Sequence, residues 1–213
     1  MRVLITGFEA YWDYPENSSW MVAERVANHG VEDVDIVVEQ MPVSFSRVAS
    51  ALRGAVEKHN PDLIIMLGQS GGSDRVKLER VALNLMDARR ADNDGYTPDE
   101  EPIQPDTPTA LLTNLPIKNL LKAIEEKGIA VKISNSCGLY VCNRLYYEAM
   151  RMCVERYAVQ TIFVHLPFYE GQPSAKQGKP TMPIDEMVKA IQIIISEVYD
   201  KNRKNQKTTG VRL

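Results

Sequence analysis

Cys142 and His165 are the residues of this chain best suited to covalent chemistry. Cys142 lies in Ser134-Asn-Ser-Cys-Gly-Leu-Tyr-Val-Cys142-Asn143, and His165 lies in Phe163-Val-His165-Leu-Pro167. An apolar run at 129–133 precedes the first segment, and a helical pattern at 143–157 follows it, which puts Cys142 at or just before a helix start. Unpaired N–H groups and the positive dipole end there are expected to lower the thiol pKa. His165 closes the next apolar run, and in an α/β sheet strand ends border the ligand crevice. A thiol and an imidazole on one rim make a nucleophile and its base.

A third group is needed to orient the imidazole. Glu79 interrupts an otherwise apolar strand pattern and is a candidate, although it could equally pair with Arg80 or Arg89. His29 and His59 each end an amphipathic helix and read as exposed caps, leaving His165 as the base. The cysteines do not form a zinc set. Cys142 and Cys153 fall on one expected helix about 16 Å apart along its axis, too far to share an ion. Cys153 reads as a small buried hydrophobe. No metal or other cofactor is implied.

Two loops could shape a pocket. Gly68-Gln-Ser-Gly-Gly72 follows a buried strand but lacks the Gly-Lys-Ser/Thr ending of a phosphate loop, so it reads as close backbone approach to a ligand. Gln69 there would offer a paired donor and acceptor. Thr6-Gly7-Phe8-Glu9-Ala10-Tyr11-Trp12 is strongly aromatic, which suits core packing or the wall of an apolar pocket.

The elements that must position these groups alternate along the chain. Apolar runs at 3–6, 34–38, 63–67, 130–134 and 161–165 read as strands, and amphipathic stretches at 19–28, 44–59, 117–127, 143–157 and 184–201 as helices. That pattern implies an α/β fold, a mostly parallel sheet with helices on both faces. Residues 76–85 read as a bent strand and 87–109 as a long loop. At 213 residues and 44% hydrophobic content, one domain over 1–213 is expected, with a polar, frayed tail from about 201. A net charge of −3 gives no general attraction to nucleic acid or membrane. No apolar run approaches a bilayer span, the N-terminal run is too short for a signal peptide, and the three cysteines suit a reducing cytoplasm.

Read together, Thr6-Gly-Phe-Glu9, Gly68-Gln-Ser-Gly-Gly72, Glu79-Arg-Val-Ala-Leu-Asn84, Asp87-Ala-Arg89, Asp92-Asn-Asp-Gly95, Gly138-Leu-Tyr-Val-Cys142-Asn143 and His165-Leu-Pro167 resemble the pyroglutamyl peptidase I (pyrrolidone carboxyl peptidase) family. The resemblance runs in order from Val3 to about Val198. It implies a three-layer α/β/α sandwich with a mixed, mostly parallel sheet, commonly assembled as a homotetramer. The implied activity is a metal-free cysteine exopeptidase that removes N-terminal 5-oxoproline from small blocked peptides. By the resemblance Cys142 is the nucleophile, His165 the base and Glu79 its orienting group. Arg89 and the Cys142 N–H would serve the oxyanion, Phe8 and Tyr11 would sandwich the lactam, and Gln69 would hydrogen-bond it. A related amide hydrolase with another substrate, or a binding protein on the same fold, are the rival readings.

The chain departs from the family in its first loop. Phe8-Glu9-Ala10-Tyr11-Trp12-Asp13 stands where members usually read Phe-Glu-Pro-Phe-Gly-Gly, and Cys137 stands in place of a usual alanine. A carboxylate at Asp13, if turned inward, would offer a partner to a substrate ammonium.

Overall fold

Period-two alternation along β1 (Arg2–Phe8) splits its side chains between two cores. Val3 and Ile5 enter one cluster and Leu4 and Phe8 the other, all nearly without solvent exposure. The same division continues in β3 (Leu63–Gln69), where Leu63, Ile65 and Leu67 oppose Ile64 and Met66. These strands lie inside a six-stranded sheet in a computed structural model that describes residues 1–155, 159–175 and 178–209.

The sheet order is β2-β1-β3-β8-β4-β7, with β2 at Asp35–Met41, β4 at Val76–Glu79, β7 at Val131–Ser134 and β8 at Gln160–Leu166. Strands β2, β1, β3 and β8 run parallel, β4 pairs antiparallel with β8, and β7 runs parallel to β4. Helices α1 (Ser18–His29), α3 (Ile117–Glu125) and α5 (Ile184–Thr209) cover one face. Helices α2 (Val48–His59) and α4 (Val141–Glu155) cover the other. The fold is therefore the expected α/β sandwich around a mixed, mostly parallel sheet.

The bent strand at 76–85 breaks at Arg80, after which β5 (Val81–Leu83) leaves the sheet and pairs antiparallel with β6 (Ala110–Leu112). The stretch at 87–109 is a tethered loop. Asp92 accepts from the Phe45, Asp94 and Tyr96 amides, Asp94 binds Arg47, and Asn93 donates to Glu9 and the Ala10 carbonyl. The short pair β9 (Phe168–Tyr169) and β10 (Thr181–Met182) closes the loop after β8.

Two expectations change. Helix α5, expected to end at 201, continues to Thr209. His59 is no free cap, because Nε2 lies 2.7 Å from Glu39 Oε1. Helix α4 was expected to reach Tyr157, which lies outside the described residues, as do the last residues of the tail, 210–213.

Candidate active site

Sheet register brings Glu79 to His165. In the antiparallel pair Lys77 lies opposite His165 and Glu79 opposite Phe163, so all four side chains share the face beneath α4. Glu79 Oε1 lies 2.8 Å from His165 Nδ1, and both side chains are buried. A carboxylate accepts, so Nδ1 carries the proton, and in the neutral ring Nε2 keeps a free lone pair. The alternative pairings of Glu79 do not form: Arg80 donates to Asn135 Oδ1, and Arg89 is exposed. Glu79 Oε2 is buried without a hydrogen-bond partner.

The neighbouring strand makes room for the imidazole. Gly68 is the register partner of His165 on β3, and a Cβ built there would lie 2.9 Å from His165 Cδ2 and 2.8 Å from the Phe163 ring. Any side chain at 68 would displace the ring.

Cys142 is the second residue of α4, so its N–H is one of the four that find no acceptor inside the helix. Its thiol lines the same cavity as His165 and Glu79. The electrostatic balance differs from the sequence expectation. Desolvation by the surrounding protein, with the Glu79 charge adding, pushes the thiol up to about 12, while the backbone N–H works weakly the other way. Helix-start stabilisation, at most ~2 kcal/mol, is smaller than the cost of burying a thiolate. Cys137, buried and within 3.5 Å of Asn143 Oδ1, is likewise pushed well above the usual thiol range by burial. All three cysteines are free thiols.

The cavity measures about 370 Å³. Phe8, Tyr11 and Gln69 line it, together with Trp12, Tyr140 and Lys77. Gln69 is less versatile than its side chain suggests. Its Oε1 accepts from the Ser18 amide at 2.9 Å and from Gln172 Nε2 at 2.7 Å, which uses both lone pairs. That leaves only its Nε2, 3.5 Å from the Tyr11 hydroxyl, to serve the cavity, and as a donor. The expectation of a paired donor and acceptor is corrected to a donor alone.

The altered loop keeps its glycine-like backbone. Trp12 sits at φ 51°, a left-handed conformation that costs a non-glycine residue ~1–2 kcal/mol. Contacts offset this: its indole packs 4.8 Å from the Tyr11 ring and 5.5 Å from Tyr140, Arg90 lies 4.3 Å over it, and Nε1 donates to the Ala91 carbonyl. Asp13 points away from the cavity, its carboxylate almost fully exposed and 3.5 Å from Arg90.

Glu79, Cys142, His165, Phe8, Tyr11 and Gln69 are thus gathered around one cavity, whereas Arg89 is exposed and does not line it. Sequence reasoning did not single out Lys77 or Tyr140. Tyr140 carried a signal, since it sits two residues before Cys142 in the same motif. Lys77 carried another, as a charge on an otherwise apolar strand two residues before Glu79.

Comparison with known proteins identifies the family. The family model described as pyroglutamyl peptidase matches residues 1–201. A pyrrolidone-carboxylate peptidase of Bacillus licheniformis is 37% identical over 204 residues, covering 94% of each chain. Among solved structures, a mutant pyrrolidone carboxyl peptidase from Pyrococcus furiosus superimposes with TM-score 0.89 at 31% identity, over 94% of this chain and 99% of that one. Pyroglutamyl peptidase I of Bacillus amyloliquefaciens gives TM-score 0.86 at 36% identity, over 90% and 93%. The chain belongs to the pyroglutamyl peptidase family.

Proposed function

We propose that this protein hydrolyses the amide bond after an N-terminal pyroglutamyl residue of small peptides, with Cys142 as nucleophile, His165 as base and Glu79 as the group that orients it. The observation carrying this reading is the 2.8 Å His165–Glu79 hydrogen bond on the wall of a cavity that also holds Cys142. His165 Nε2 takes the thiol proton as Cys142 Sγ bonds to the acyl carbon, then delivers it to the departing amine. Water cleaves the resulting thioester by the reverse proton path. With the resting thiol neutral, His165 takes its proton before or as Sγ attacks. The Cys142 N–H, unused inside the helix, takes the charge on the carbonyl oxygen. Arg89 acts there only if substrate draws it inward.

The cavity suits a flat, uncharged cap. Phe8 and Tyr11 supply aromatic surface, Gln69 supplies a donor for the lactam carbonyl, and Asp13 faces away. The lining carboxylate, Glu79, is engaged by His165 and is not free to pair with an ammonium. A free N-terminus would be desolvated without a partner, at a cost of about 2–7 kcal/mol or more. The same reading places the enzyme in the cytoplasm, where free thiols persist, and in a homotetramer as in the family. Among the described residues no helix is long and apolar enough to cross a membrane.

Hydrolysis of a fluorogenic pyroglutamyl amide tests the proposal. The natural chain should cleave it, Cys142→Ala should lose at least about 10⁴-fold in kcat/KM, and Cys137→Ala should retain most activity. Better cleavage of prolyl or glutaminyl amides, or a critical Cys137, would refute it.

A further inference from the structure

We propose that Lys77 is a specificity determinant that receives a carboxylate carried by the leaving amino acid, so that acidic pyroglutamyl peptides are the favoured substrates. The inference rests on the reaction proposed above and names its leaving group. Three observations converge on Lys77. It stands opposite His165 in the β4–β8 register with its side chain on the same face, and it lines the same cavity. The imidazole that protonates the departing amine must adjoin that amine, so a group beside His165 adjoins the leaving residue rather than the lactam.

Its charge is also unmatched. Nζ donates to Ser70 Oγ at 2.7 Å, and an ammonium has two further donors. Among the described residues no carboxylate lies within ion-pair distance of it. Asp74 is held by Arg75 at 2.7 Å, and Glu79 is hydrogen-bonded to His165. Lys132, its register partner on β7, adds a like charge. Partial burial and Lys132 both lower the Lys77 pKa, while Glu79 and Asp74 act against them. A half-buried ammonium at a cavity wall, short of acceptors, is stabilised by an arriving anion.

A side-chain carboxylate on the leaving residue or the terminal carboxylate of a dipeptide would meet the same need. Four substrates separate these sources: pyroglutamyl-glutamine amide, pyroglutamyl-glutamate amide, pyroglutamyl-glutamine with a free carboxyl terminus, and pyroglutamyl-lysine amide. The readout is the ratio of kcat/KM for each to that for the neutral amide, measured within one enzyme. In the natural chain at least one carboxylate substrate should exceed the neutral one by roughly five- to tenfold. Which one does so identifies the source. The advantage should shrink toward unity at 0.5 M salt by screening of order the Debye length. Lys77→Met should bring the ratio to about one, and Lys77→Glu should favour the lysine substrate. A natural-chain ratio at or below one overturns the proposal without any variant, as does an unchanged ratio in Lys77→Met. Failure to cleave even the neutral amide instead refutes the reaction and takes this inference with it.

Discussion

The thiol of Cys142 sits where two physical effects oppose each other, and burial outweighs the helix terminus. Alkylation of Cys142 in the free enzyme should therefore accelerate about tenfold per pH unit from 7 to 10, following a thiolate fraction that has not saturated. A plateau below pH 8 would instead reveal a preformed thiolate and refute the balance described above. The error in reading this from sequence has a clear origin: a helix start is visible in the pattern after Asn143, but desolvation depends on what is folded over it. Gln69 repeats the lesson. Its place in the pocket was legible from the glycine-rich loop. The capture of its carbonyl by Gln172 was not, because those residues meet only through the fold. Glu79 and His165 were legible because a charge and an imidazole in apolar strands each require a partner.

Single strands and helices position these groups through register, and Gly68 is where that is most testable. Gly68→Ala should lower kcat by roughly ten- to a hundredfold while leaving the protein folded, since the new Cβ must push the His165 ring or Phe163 aside. Circular dichroism and thermal melting check folding, and an unchanged kcat would show that the ring tolerates the shift. Element existence was readable from apolar runs and helical patterns, as in β1 and β3. The direction of β4 was not, because alternation of apolar residues is identical in a parallel and an antiparallel strand. The full length of α5 was hidden for another reason. Its last turns carry polar and basic residues that look like a solvated tail, and a continuing helix needs no apolar stripe there.

Across the whole molecule, buried protons tie stability to pH. Cys137, Cys142, Cys153, Tyr11 and Tyr146 all stand above their unfolded pKa values because burial disfavours their anions. The folded state keeps protons that the unfolded state releases, so this stability is whole below about pH 9 and is lost as pH climbs toward 12. Denaturant midpoints should hold level up to about pH 9 and then fall, and a midpoint still level at pH 11 would contradict this. Sheet order lay beyond the sequence, since each apolar run is compatible with several neighbours. That order has a consequence for synthesis. Strand β8 is the last to enter the six-stranded sheet from the ribosome yet lies inside it, between β3 and β4. Until residues 160–166 emerge, β3 and β4 are two open edges with a gap between them, and the nascent chain is exposed to mispairing. The same gap separates Glu79 from any imidazole. A growing chain thus carries Glu79 early and His165 late, and the two meet only once its sheet is closed.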